Sequence, residues 1–138
     1  MVVIDASVAY KWSDSTEQFF KQAREILKHH LHHKRPIIVP DLVLYELGNV
    51  WATKTNLALS HVESNLEDLN SFRLNVKPVT FELIKKATKL AKSCKVSVYD
   101  AVYVVLAQQD KCDLVTADMK LFQKINLPFV KLLEQYTN

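Results

Sequence analysis

The chain has 138 residues, 49% hydrophobic and 24% charged, enough apolar mass for the core of one domain spanning residues 1–138. Its longest apolar run, "AVYVVLA", has about seven residues, and its lone glycine, Gly48, rules out glycine-rich phosphate loops and dinucleotide fingerprints. A membrane helix needs ~20 apolar residues, so none is expected, and the formal charge of +3 permits nucleic-acid contact without requiring it.

In chain order, "VVID" at 2–5 reads as a buried strand ending at Asp5, and "SVAYKW" continues as a helical turn. Phe19, Phe20, Ala23, Ile26, Leu27 and Leu31 recur at helical spacing over 16–32. "PIIVP" at 36–40 is strand-like. Leu42, Val43, Leu47, Val50 and Trp51 mark a helix over 41–55. Ser60 with Glu63 forms a capping-box pattern opening a helix to about Phe72. "VKPV" is extended, and Thr80 caps a helix through about Ser93. A helix follows over 98–110, covered almost entirely in apolar surface. "DLVTA" at 113–117 is another buried strand, a short helix runs over 118–124, and "PFVKLL" ends the series as a strand. Short apolar strands alternating with helices predict an α/β fold with a parallel sheet covered on both faces.

Four acids stand out against this pattern. Asp5 and Asp118 follow strands, at the carboxyl edge where α/β sheets place their ligand crevice. Glu46 shares a helix face with Leu42, Val43 and Val50, and Asp100 interrupts the apolar helix over 98–110. Each has a local explanation. Asp5 and Asp118 suit helix N-caps, Asp100 suits a first helical turn, and Glu46 suits an ion pair. A shared explanation is a divalent cation, because clustered carboxylates repel one another and hard oxygen ligands match Mg²⁺ or Mn²⁺.

"VVIDAS", "YELGNV", "VYDAVYVVLA" and "LVTAD", in this order, resemble the PIN-domain family, specifically the VapC-type toxins of toxin–antitoxin pairs. The resemblance covers essentially the whole chain. It implies a PIN-like three-layer α/β/α sandwich with a central parallel sheet, and a metal-dependent endoribonuclease. It assigns Asp5, Glu46, Asp100 and Asp118 as the catalytic and metal-holding quartet, with Mg²⁺ or Mn²⁺ as cofactor. It makes Ser7, Thr116 and Ser97 substrate-positioning hydroxyls. It also implies an RNA substrate, a cognate antitoxin and a homodimer. The chain departs from the pattern of many relatives after the last acid, where Met119, Lys120 and Leu121 stand instead of a further acid. That departure predicts a second metal position that is weak or formed only with substrate.

Lys11 and Lys120 follow the acid-bearing loops and rank first as RNA contacts, ahead of Lys34, Arg35 and Arg73. Trp12 and Tyr45 are candidate stacking surfaces, with a core or dimer role favoured for Trp12. His29 and His33 share a helix face, but no acid or Cys completes a ligand set around them. Residues 1–15 show no basic start before an apolar run, and the two cysteines are widely spaced, so a reduced, cytoplasmic protein without membrane attachment is expected. The rival readings are a structure-specific DNA nuclease of the same family, a catalytically silent partner-binding domain, and a receiver-type domain. The last requires two adjacent acids after the first strand, where "IDAS" has one.

Overall fold

The computed structural model describes residues 1–137. Strands β1 (Val2–Ile4), β2 (Ile37–Pro40), β3 (Asn75–Lys77), β4 (Asp113–Thr116) and β5 (Val130–Leu132) form one all-parallel sheet in the order β3-β2-β1-β4-β5. The connecting helices are α1 (Ala6–Tyr10), α2 (Phe20–Leu31), α3 (Leu42–Thr53), α4 (Leu59–Ser71), α5 (Phe81–Cys94), α6 (Val98–Gln109) and α7 (Met119–Ile125). Right-handed crossovers between parallel strands put α1–α4 on one face and α5–α7 on the other, because the chain reverses direction across the sheet after β3. This is the expected α/β sandwich. No described helix is long and apolar enough to cross a membrane.

The three central strands are buried except for half-buried Asp113 at the start of β4, which is why they read as continuous apolar runs rather than alternating ones. Helix α6 packs against β1, β2 and β4, and every residue from Ala101 to Ala107 is buried. Full burial of an Ile or Leu such as Ile4 or Leu114 stabilises by ~1.5–3 kcal/mol. The reversal leaves a topological switch point at the carboxyl ends of β1 and β4, where loops diverge to opposite faces.

Several local expectations are corrected. Helix α2 begins at Phe20 rather than near Thr16. The Asp14 carboxylate accepts from the Thr16 amide at 2.9 Å and from its hydroxyl, holding 14–16 in a turn, and Phe19 adopts φ 61°. The capping box at Ser60 and Glu63 is not formed, because α4 already begins at Leu59 with Ala58 at its N-cap and no side-chain cap bond. Helix α3 spans Leu42–Thr53, slightly shorter than 41–55, and the Asp41 carboxylate before it accepts from the Val79 amide across the loop. Thr80 does cap α5, accepting from the Leu83 amide at 3.2 Å.

Candidate active site

Asp5 leaves β1 and N-caps α1, and it is 5% exposed. Its carboxylate accepts from the Ser7 hydroxyl and, at 3.2 Å, from the Val8 amide. Burial pushes its pKa up to about 6, against the pull of Ser7, Thr116 and the Val8 amide, and nearby Asp100 adds to the rise. The Ser7 hydroxyl also accepts from the Ala117 amide at 2.9 Å, tying the loop after β1 to the loop after β4. Thr116, fully buried, accepts from the Asp118 amide at 3.0 Å. Asp118 is exposed and N-caps α7 through the amides of Lys120 and Leu121, at 2.9 and 3.1 Å.

The other two acids arrive on helices. Asp100 stands in the first turn of α6, outside that helix's buried stretch, and Ser97 caps the helix by accepting from the Asp100 amide at 3.0 Å. Burial raises the Asp100 pKa against the Ser97 hydrogen bond, with Asp118 raising it further and Lys124 lowering it. Glu46 on α3 accepts from the phenol of Tyr103, on α6, at 2.6 Å. Burial raises the Glu46 pKa, the Tyr103 bond opposes the rise, and Asp100 reinforces it. Asp100 is therefore the hub of a shared negative field that includes Asp5, Glu46 and Asp118.

Among the described residues the ion pairs are Lys11–Glu17, Lys28–Glu25, His29–Glu25 and Lys85–Glu82. None involves the quartet. The ion-pair explanation for Glu46 gives way to a neutral donor, Tyr103, while the capping explanations for Asp5 and Asp118 hold alongside their edge position. The described residues contain no group of three or more His, Cys, Asp or Glu side chains placed to hold a metal ion. The donor chemistry nevertheless fits a hard divalent cation: four oxygen acids, none in an ion pair among the described residues, three of them held above their usual pKa. Mg²⁺ commonly keeps several waters and takes only one or two protein carboxylates, so a closed cage is not required.

The three hydroxyls lie beside the acids: Ser7 and Thr116 are tied into the strand-end loops next to Asp5, and Ser97, exposed at the start of α6, caps that helix through the Asp100 amide. Trp12 is buried, donates to the Ala23 carbonyl at 2.9 Å and meets Phe72 edge to face, which removes it from RNA stacking. Lys11 is also buried and paired with Glu17, whereas Lys120 is exposed. In the histidine-rich stretch, His30 accepts from the Ile37 amide through Nδ1, leaving Nε2–H to donate to the Phe72 carbonyl at 2.9 Å. Tyr103 is the site residue that the sequence pattern hid, because its ring completes the apolar surface of α6. The available signal is its position three residues after Asp100, on the same helix face.

The sequence model of the PIN domain matches residues 2–126. The chain belongs to the PIN domain family. Ribonuclease VapC3 from Pyrobaculum aerophilum is 33% identical to this PIN domain over 133 residues, covering 89% of this chain and 93% of that protein. The VapBC2 complex from Rickettsia felis, bound to a DNA fragment from their promoter, contains a chain that superposes with a TM-score of 0.73 at 16% identity, covering 96% of this PIN domain and 98% of that chain. A toxin–antitoxin complex from Klebsiella pneumoniae gives 0.70 at 18% identity over 96% and 98%. VapC20 from Mycobacterium tuberculosis, a sarcin-ricin loop cleaving toxin, gives 0.67 at 15% over 89% and 94%. At these identities the three structures establish the shared fold.

Proposed function

We propose that this PIN domain is a single-domain, Mg²⁺- or Mn²⁺-dependent endoribonuclease of the toxin type, acting in the cytoplasm and restrained by a cognate antitoxin. The observation that carries the reading is the set of four acids, without ion-pair partners among the described residues, around the switch point of the sheet. The 33% identity to Ribonuclease VapC3 over nearly the whole chain supports RNA as the substrate. One or two of Asp5, Glu46 and Asp100 would hold the cation directly and the others through bound water, with Asp118 completing the set or orienting the attacking water. When bound, the ion supplies a water of lowered pKa and polarises the phosphoryl oxygen. Ser7 and Thr116 hold the Asp5 carboxylate in place, and Tyr103 does the same for Glu46. No nucleophilic side chain is needed.

The test is cleavage of single-stranded RNA by the purified protein in Mg²⁺ or Mn²⁺, with and without excess EDTA. Activity should vanish with EDTA and return on adding excess metal. Cleavage indifferent to the chelator sinks the metal-dependent reading.

Tyr45 is 76% exposed immediately before Glu46, a flat surface on which a base flanking the scissile bond can stack. Tyr45→Ala is expected to raise KM for RNA about fivefold with kcat little changed, the lower end of the ~1–3 kcal/mol that stacking supplies. Steady-state kinetics on one oligonucleotide measures it. A homodimer belongs to the same reading. The exposed Leu44, Leu66 and Val76, on α3, α4 and β3, are the apolar residues that a second copy or the antitoxin would cover.

A further inference from the structure

A depression of about 460 Å³ opens beside the quartet, lined by Ser7, Tyr10, Lys11, Glu17, Glu46 and Asp118 among others. Lys11 is the single cation in its lining. The residue is 8% exposed, and its ammonium donates to Glu17 Oε2 at 2.8 Å. An ammonium carries three N–H donors, and among the described residues Glu17 is the one acceptor Lys11 has. Its other N–H donors are left to solvent or to an anion that enters the depression. Glu17 comes from the segment between Ser13 and Phe20 that belongs to no helix, and its side chain is 34% exposed.

An RNA phosphate entering this depression adds negative charge beside Glu46 and Asp118. A metal ion offsets part of it, and a fixed base must offset the rest. We propose, building on the ribonuclease reading, that Lys11 binds the RNA phosphate beside the scissile bond, and that Glu17 occupies Lys11 until RNA displaces it. Glu17 is then an internal competitor. It lowers apparent RNA affinity by the fraction of time it holds the ammonium, and it keeps the buried charge compensated in the free protein.

The experiment is a double-mutant cycle on RNA binding. Fluorescence anisotropy of a labelled, randomised single-stranded RNA is read in Mg²⁺ on an Asp5→Asn background, which prevents cleavage. Lys11→Met should weaken binding about tenfold or more, as expected for a charged hydrogen bond. Glu17→Gln should tighten it about fivefold by freeing the ammonium. Combining the two should reproduce Lys11→Met alone, because Glu17 acts only through Lys11. Lys11→Arg, which keeps the charge, should restore binding, and thermal melts confirm that each variant folds. Glu17→Gln tightening binding equally in the Lys11→Met background overturns the proposal, since Glu17 would then act merely as one more negative charge. So does RNA binding indifferent to Lys11→Met in a folded protein. Failure of the parent protein to bind or cut any RNA is a separate result: it sinks the ribonuclease reading and this proposal with it.

Discussion

Asp5→Asn is expected to cut RNA cleavage to below about one-hundredth and, in the same protein, to raise the melting temperature measured in EDTA at pH 7.5. The two effects share one cause. The Asp5 carboxyl is buried at the end of β1, and burial raises its pKa from 3.8 to about 6. Between those values the folded chain holds a proton that the unfolded chain has released. Stability therefore falls as pH rises through about 4 to 6, and the deficit persists above that window. At ~1.4 kcal/mol per tenfold change in proton affinity, the charged carboxylate costs the metal-free fold about 3 kcal/mol at neutral pH.

Asparagine carries no charge at any pH and keeps a carbonyl to accept from Ser7 and Val8. The gain should reach about 10 °C at neutral pH and fade below pH 4, where both proteins are neutral at this position. Mg²⁺ or Mn²⁺ should stabilise the parent protein, which supplies a full acid set, more than the variant. Thermal melts of both proteins at pH 4 and pH 7.5, with EDTA and with metal, measure all three differences. Equal melting temperatures at pH 7.5 in EDTA contradict the claim that this acid is held at the expense of stability.

Where chemistry and local pattern coincide, the site is legible in the chain alone. Asp5 and Asp118 are found because the buried runs "VVI" and "LVT" end just before them, and a parallel sheet presents strand ends to its crevice. Asp100 is found because its neighbours form one of the most apolar helices in the chain. What local pattern misses is decided by contacts distant in sequence. Lys11 follows Asp5 closely and does line the depression beside the quartet, but no periodic pattern shows its pairing with Glu17, six residues on. Trp12 turns inward to Ala23 and Phe72, the core role favoured for it, through partners that its own neighbourhood in sequence does not name. The start of α2 is hidden for another reason. Apolar spacing is indifferent to a competing Asp14 turn that takes the backbone amide and hydroxyl of Thr16. Ser60 and Glu63 match a capping box in spelling, but the N-cap of α4 is Ala58, two residues earlier, and the pattern alone does not set that register.

Tyr103→Phe isolates the contact with the least local signal. The partners lie 57 positions apart, and the substitution removes a single oxygen from a residue that is 1% exposed. Burial, reinforced by the adjacent Glu46, drives the phenol pKa far above its ordinary value, so the group stays protonated and always donates. Its bond holds the Glu46 carboxyl below the pKa that burial would otherwise impose. Without the donor, Glu46 retains protons to higher pH and its carboxylate loses a fixed orientation. Mn²⁺ affinity, followed by electron paramagnetic resonance on the metal alone, should fall about 10–100-fold, as for other partners that orient metal ligands. The onset of binding should also move to higher pH, because the ligand must shed its proton first. A ring serving only to fill the core predicts the opposite pattern. Phenylalanine would then melt near the parent temperature and bind Mn²⁺ with the parent affinity and pH profile, since the shape of the core is almost unchanged.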